Sequence, residues 1–192
     1  LVAWNASYPV EMRKELIGPT IFHYYLKILE ELTWGDEWSA SNSTGHMPSP
    51  QYLEYMVREN LTNPWFDDVN TPTKVENGTD VVLKAFESAV WKIADHWGNL
   101  SDSESDWLYG NNFKLLLPST LEAVDLISGN QVGHPYDGSE FTVDAAASFG
   151  EFPAYVFGGP AWRHVIDFGD PQHPRTVIPP GNSGRMFNPH WD

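Results

Sequence analysis

The chain has 192 residues, no cysteine, and 11 basic against 26 acidic residues, which gives a formal net charge of −15. The absence of cysteine excludes disulfides, thiolate catalysis and cysteine-ligated metal sites, and so acidic a chain without a Lys/Arg stripe argues against nucleic-acid binding. No apolar run approaches the roughly 18 residues of a membrane span, and the length suits one core or two lobes.

The first hundred residues have the apolar spacing of helices. From Pro19, which suits a first helical turn, apolar residues recur at helical spacing, and Gly35 is expected to end this helix. A short helix should follow Ser49. The clearest pattern spans residues 79–97 and should end at Gly98. Its expected core-facing stripe consists of Val82, Phe86, Ala89, Ile93 and Trp97.

After Ser101, glycine, proline and aromatic residues divide the chain into short β-like runs. The sequence therefore predicts an α+β fold, with a helical lobe over residues 1–100 followed by a strand-rich C-terminal return over residues 101–192. Strands are predicted at residues 141–143, 154–157, 161–168 and 175–178.

The last 35 residues contain two of these strands, a Gly-Asn-Ser-Gly turn and an aromatic tail. Gly181 and Gly184 permit backbone angles that other residues avoid. Ser183, between them, lacks the spacing and the following helix of a nucleophile elbow, which favours a structural turn. Arg163 and Asp167 lie four residues apart on one predicted strand and so on the same side of it. We interpret them as a structural ion pair rather than as substrate contacts.

Composition leaves two other kinds of site to consider. Histidines and acids near the C-terminus suggest a metal centre, but no H-x-H or H-E-x-x-H pair is present, and we predict none. Asp67 and Asp68 lack the spaced acids and the glycine of a calcium loop. The 9 Trp, 8 Tyr and 10 Phe could form an aromatic platform, but core packing is favoured. The residues weighed are Trp91, Trp97 and Trp107 for the core, and His164, Asp167, Asp170, His173, His190 and Asp192 for a metal.

Five N-x-[ST] sequons lie in the first 101 residues, more than the content of asparagine, serine and threonine predicts by chance. They indicate an exported protein, extracellular or at the cell surface, that carries N-linked glycans. The sequon in the polar stretch 39–47 is the best candidate for use. The five sequon asparagines are Asn5, Asn42, Asn60, Asn77 and Asn99.

Several different short motifs follow one another along the chain. The upstream ones are Leu1 to Trp4, Gly18 to Phe22, Phe66 to Asp68 with Thr71-Pro72, and Trp107 to Gly110. The C-terminal ones comprise Gly159, Ala161, Arg163, Val165 and Asp167, then Pro180, Gly181, Ser183, Gly184, Pro189, His190, Trp191 and Asp192. Together they resemble the penicillin acylase (penicillin amidase) family of N-terminal-nucleophile amidohydrolases. The family's histidine shortly after W-x-W-G is absent here, where Asn111 and Asn112 follow Gly110.

The resemblance implies that the chain is the C-terminal part of the large chain of such an enzyme. Its second half would complete the αββα sandwich of the nucleophile domain. The family's N-terminal serine, oxyanion-hole asparagine and partner arginine precede the matched part, so we expect no catalytic, cofactor-binding or metal-binding residue here. The calcium often found in the family would bind to parts outside this chain.

The parent enzyme is then expected to hydrolyse a linear amide of a small acylated amine through an acyl-enzyme, and this segment alone should be inactive. Its partners would be the remaining segments of the same enzyme. The alternative is a secreted carbohydrate- or peptide-binding module without catalysis. A catalytically inactive scaffold of the same family would give the same sequence pattern in this region.

Overall fold

The computed structural model describes residues 12–41, 47–116, 133–140, 142, 144–149, 154–159 and 163–177. The chain divides into two compact units. A helical unit holds residues 17–107, and a strand-containing unit holds residues 12–16 together with the described residues from 108 onward. The predicted α+β class is confirmed. The structure places the boundary after Trp107 rather than at residue 100, and it assigns residues 12–16 to the strand-containing unit.

The first helix, α1, spans Gly18–Ala40 and carries a proline in its first turn, where the missing N–H has no helical partner to lose. The prediction that Gly35 ends this helix is wrong. Glycine costs a helix interior about 1 kcal/mol, and the burial of Thr33 and Trp34 just before it offsets that cost. The helix ends instead at Ser41, whose backbone N–H donates to the carbonyl of Glu37 at 2.9 Å.

The second helix, α2, spans Pro50–Glu59 and begins after Ser49, as predicted. Its buried face consists of Leu53 and Met56. A short 3₁₀ turn, Pro64–Phe66, follows, and it is closed by the Asn63 side chain, which accepts from the Trp65 N–H at 3.1 Å. This turn places Phe66, only 1% exposed, in the helical core.

The third helix, α3, spans Gly78–Trp97 and ends at Gly98, where φ is 87°, as the pattern predicts. A capping box at Asn77 and Asp80 starts it. The predicted stripe is wrong for part of its length, because Phe86 is exposed and Val82 is only half-buried. Small residues, rather than the largest apolar ones, let α3 pack closely on α1. The buried face consists of Gly78, Val81, Ala85, Ala89 and Ile93.

The core of the helical unit is one cluster drawn from all three helices and the 3₁₀ turn. Trp34 at its centre is fully buried. Such burial supplies most of the stability of helices whose intrinsic propensity is marginal. The cluster consists of Leu29, Trp34, Leu53, Met56, Phe66, Val81 and Ala85. None of the described helices is both long and apolar enough to cross a membrane.

The strand-containing unit begins with a short helix and continues with two small sheets. The larger sheet has the order β2-β1-β4-β3, with β1 and β4 parallel and the outer pairings antiparallel, and β5 pairs with β6 in an antiparallel hairpin. The elements are α4 (Tyr109–Asn112), β1 (Phe113–Leu115), β2 (His134–Pro135), β3 (Ala147–Phe149), β4 (Ala154–Gly158), β5 (Arg163–Val165) and β6 (Arg175–Val177).

Residues 12–16 tie this unit together through backbone hydrogen bonds. The Met12 carbonyl accepts from the Gly138 N–H at 2.7 Å, and the Lys14 carbonyl accepts from the Gly110 N–H at 2.9 Å. The Lys14 N–H donates to Asp137 Oδ1 at 2.6 Å. The core beneath them consists of Met12, Tyr109, Phe113, Ala146, Ala154 and Val156.

Two of the four predicted strands are confirmed. Those at 154–157 and 175–178 are confirmed as β4 and β6, although Ile178 lies outside the described residues. Of the strand predicted at 161–168, residues 163–165 are confirmed as β5, residues 166–168 are not in a strand, and residues 161 and 162 lie outside the described residues. Of the strand predicted at 141–143, Thr142 is in a bend, and its two neighbours lie outside the described residues.

Gly35 and Gly78 give opposite predictions. A Cβ at Gly35 would meet Glu31 Cγ at an ordinary 3.5 Å, so Gly35→Ala should raise the unfolding free energy by about 0.5–1 kcal/mol. A Cβ at Gly78 would lie 2.8 Å from the buried ring of Phe66, so Gly78→Ala should lower it by about 1–3 kcal/mol. Chemical denaturation of both variants measures the difference, and equal effects would contradict the packing described here.

Candidate functional site

Three of the five sequon asparagines lie in the described residues, and all three are exposed at helix ends: Asn60, Asn77 and Asn99. Asn5 and Asn42 lie outside the described residues. Asn60 follows α2, Asn77 precedes α3, and Asn99 follows α3. Exposed turns of this kind are where a glycan can be accommodated.

The side-chain oxygens of two of these asparagines take part in local hydrogen bonds. Asn77 Oδ1 accepts from the backbone N–H groups of Thr79 at 2.9 Å and Asp80 at 3.3 Å. Asn60 Oδ1 accepts from the hydroxyl of Thr62, the third residue of its own sequon, at 3.1 Å. An N-linked glycan attaches to the amide nitrogen, so the bonds to these oxygens do not block its attachment.

The prediction that Arg163 and Asp167 lie on one strand is wrong, while their ion pair stays a prediction because the Arg163 side chain lies outside what the structure describes. Arg163 opens β5, where its backbone is paired with Val177, but β5 ends at Val165. Asp167 already lies in the following turn, exposed, and its Oδ1 accepts from the Gly169 N–H at 2.8 Å. The turn chemistry of an aspartate before Gly-Asp-Pro therefore outweighs the β-propensity of the preceding residues. The motif residues Gly181, Ser183 and Gly184 lie outside the described residues.

The residues weighed for a metal centre do not converge within the described part of the chain. His173 Nδ1 lies 2.8 Å from Asp170 Oδ1 in the exposed hairpin turn. His164 is exposed on β5, while His190 and Asp192 lie outside the described residues. No group of three or more potential metal ligands is found among the residues described.

The tryptophans expected in the core occupy different environments. Trp107 is buried as predicted, and its Nε1 donates to the Gly98 carbonyl at 3.0 Å. Trp97 is half-buried, and Trp91 is 68% exposed, which contradicts its predicted core position. The described aromatic pair closest to a platform is Tyr52 and Tyr55 on α2, which are both exposed, with nearly parallel rings 6.3 Å apart.

A cavity of about 410 Å³ that the sequence analysis did not predict lies in the helical unit. It is formed by the C-terminal half of α1 and by loop 67–70, which follows the 3₁₀ turn. Carboxylates dominate its polar lining: Glu31, Asp36 and Asp68, together with Asn70. The signal in the sequence was the pair of adjacent acids at 36–37 and again at 67–68, but nothing in their spacing showed that they meet.

The loop that closes this cavity is organised by carboxylate oxygens. Asp36 Oδ2, on α1, accepts from the Val69 N–H at 2.7 Å. Asp67 Oδ1 accepts from the Glu76 N–H at 2.9 Å and so closes the segment that leads into α3. These charge-assisted bonds are roughly twice as strong as neutral ones. The acidic turn that the family resemblance singled out therefore positions the backbone before α3.

Asp36 and Glu37 form a coupled carboxyl pair beside the cavity. Burial, a hydrogen bond to Asp36 and the negative charges of Asp36 and Asp68 raise the pKa of Glu37 to about 7. Burial pushes the pKa of Asp36 upward, but hydrogen bonds from the Glu37 carboxyl and the Val69 amide outweigh it, so that this pKa lies below its ordinary value. The pair therefore shares one proton and carries one negative charge below neutral pH.

A buried tyrosine in the strand-containing unit has a structural role. The Tyr109 hydroxyl donates to the Gly138 carbonyl at 2.7 Å. Burial, with a smaller contribution from Asp137, raises its pKa far above the ordinary value. The hydroxyl is therefore a permanent donor that fixes residue 138, rather than a group that transfers protons.

Comparison with protein families gives one finding. The model of the penicillin amidase family matches residues 1–192, the whole chain. No curated protein matches it. A match of this extent shows that the chain belongs to the penicillin amidase family, and it confirms the resemblance seen in the motifs.

The raised pKa of Glu37 gives a prediction with a definite sign. The pKa of Glu37 is higher in the folded protein than in the unfolded chain. The contribution of the protonated Glu37 carboxyl to the stability of the fold is therefore complete below the unfolded pKa, and it is lost as pH rises through about 7. Glu37→Gln should therefore match the wild type near pH 4 and exceed its unfolding free energy by about 1 kcal/mol near pH 8, after allowance for solvent screening.

Denaturant titrations at the two pH values test this, with Glu31→Gln as the matched control. Glu31 lies on the same helix and lines the same cavity, but it is exposed and outside the pair. An equal gain in Glu31→Gln would show that general charge reduction, and not the carboxyl pair, is responsible.

Proposed function

From its membership of the penicillin amidase family, we propose that this chain is the C-terminal part of the large chain of an enzyme that hydrolyses the linear amide of a small acylated amine. The observation that carries the proposal is the family match along the whole chain, which supports an amidohydrolase-like function. The proposed partners are the remaining segments of the same enzyme.

The proposed reaction proceeds through an acyl-enzyme. An N-terminal serine outside this segment attacks the amide carbonyl while its own α-amino group takes the hydroxyl proton; the amine leaves, and water then releases the carboxylic acid. The role proposed for residues 1–192 is to complete and brace the domain that holds this serine. No residue of this segment is assigned to catalysis, to a cofactor or to a metal, and a calcium ion held by the parent would bind outside this segment.

The size of the strand-containing unit supports this bracing role. Its strands have two to five residues each, and its core cluster is small. Sheets of such short strands have little independent stability and gain it by packing against a further layer. We therefore propose that β1 to β4 contribute to a larger sandwich of the αββα type.

The exposed surface of α3 favours a segment of a larger protein over an autonomous binding module. Leu83 and Trp91 are each more than 60% exposed, and Phe86 is exposed beside them. Large apolar side chains exposed on one helix favour a contact with another chain or segment. The alternative, a carbohydrate- or peptide-binding module, is favoured by one observation, the exposed pair of Tyr52 and Tyr55.

Enzyme assays on two proteins test the proposed function. The complete protein should hydrolyse phenylacetyl or related acyl amides, whereas purified residues 1–192 should not, because loss of nucleophile and oxyanion donors costs several orders of magnitude. Ser183→Ala in the complete protein should leave turnover unchanged. Turnover by residues 1–192 that a serine reagent blocks, or loss of activity in folded Ser183→Ala, would contradict the proposal.

We also propose that the protein is exported, to the extracellular space or the cell surface, and N-glycosylated. The five sequons and the exposure of the three that are described support this proposal. It is independent of the enzymatic activity.

Mass spectrometry of protein from its native source should find a glycan on at least one sequon asparagine. Expression in a glycosylating host of Asn5→Gln, Asn42→Gln, Asn60→Gln, Asn77→Asp and Asn99→Gln then locates it. Asn77→Asp removes the attachment site but keeps the oxygen that caps α3. A native protein with an unmodified mass would overturn the export proposal without affecting the proposed activity.

A further inference from the structure

Loop 67–70 is held by polar contacts more than by apolar burial. Val69 is 52% exposed, and its N–H is tied to Asp36 Oδ2, which lies 33 residues earlier in the chain, at 2.7 Å. Asp68 Oδ1 accepts from the Asn70 N–H at 2.9 Å and so shapes the loop locally. Among the hydrogen bonds that the structure describes, the one from the Val69 N–H to Asp36 therefore connects this loop to α1.

The Asp36 carboxylate that accepts from the Val69 N–H also accepts a hydrogen bond from the protonated Glu37 carboxyl. Glu37 Oε2 is buried and has no hydrogen-bond partner while both carboxyls are ionised. With one proton between them, Glu37 can donate to Asp36, and Asp36 keeps its charge for the Val69 N–H. A buried carboxylate without a donor would otherwise carry an uncompensated desolvation cost.

Removal of the shared proton places two negative charges side by side at the closed end of the cavity. The charge that acts on Glu37 from the loop is also negative, that of Asp68, whereas Glu31 lines the cavity without acting on the pair. Lys74, in the segment between the loop and α3, has its Nζ 3.5 Å from Glu76 Oε1 and forms an ion pair with it. None of the residues that line the described cavity is basic, and the repulsion between Glu37 and Asp68 is relieved when the loop moves away and water enters.

We propose that the Asp36–Glu37 carboxyl pair is a pH-sensitive latch, which holds loop 67–70 against α1 in acid and releases it above neutral pH. The release widens the 410 Å³ cavity and loosens the segment that leads into α3. The latch works whether or not the protein hydrolyses amides.

Hydrogen exchange of the complete protein, followed by mass spectrometry of the peptide that covers 67–76, tests the latch. The exchange rate of this peptide is compared with that of the Glu37→Gln variant at each pH, which cancels the intrinsic pH dependence of amide exchange. Wild type and variant should coincide near pH 4, and the wild type should exchange up to roughly fivefold faster near pH 8.5. Glu31→Gln, the matched control, should behave as the wild type does.

A second variant keeps the test decisive if Glu37→Gln does not fold. Asp36→Asn keeps an oxygen for the Val69 N–H and removes the charge that an ionised Glu37 repels, so it should also suppress the pH-dependent increase. The proposal is overturned if the wild type shows no increase relative to either variant, or if Glu31→Gln removes the increase to the same extent.

Discussion

The close approach of α3 to α1 is the constraint on which the helical unit depends. Ala85 and Ala89 present no more than a methyl group to α1, and both are fully buried. At the start of α3, Gly78 has no side chain at all, and its N–H donates to the Leu61 carbonyl at 2.7 Å. The three positions leave room for the large residues of the cluster, above all Trp34 and Phe66, to fill the space between the helices. Larger side chains along α3 would separate the helices and open voids in that core.

The periodicity of apolar residues predicted the helices well and their orientation poorly. It located α2 and α3 because caps and breakers such as Gly98 act locally. It placed Ala89 and Ile93 correctly on the buried face of α3 but weighted Phe86 over Ala85, whereas tight helix packing selects small residues. It stopped α1 at Gly35 because the burial of Trp34, a tertiary effect, is invisible in a local pattern. The strands β1 to β3, two or three residues each, are too short to produce an alternating pattern.

Membership of the family could be predicted from the sequence because the family motifs are contiguous. The carboxyl cavity could not be predicted because its residues lie far apart along the chain. Motifs such as Gly18 to Phe22 and Phe66 to Asp68 are contiguous, and the structure explains several of them as packing or turn chemistry: Phe66 fills the core, and Asp67 fixes the loop before α3. The cavity combines Asp36 with Asp68 across more than thirty residues. Such a juxtaposition depends on the register between α1 and the loop, which no local pattern specifies.

The hydrogen bonds made by residues 12–16 have a consequence for the order of folding. Met12 and Lys14 bond to residues 138 and 137, and Gly110 joins them from a third part of the chain, while all of residues 17–107 belong to the other unit. The contact order of the strand-containing unit is therefore high. On a ribosome the helical unit can fold as soon as it emerges, whereas residues 12–16 must wait for the synthesis of more than a hundred further residues. During that interval this short segment is a target for chaperones or for misfolding.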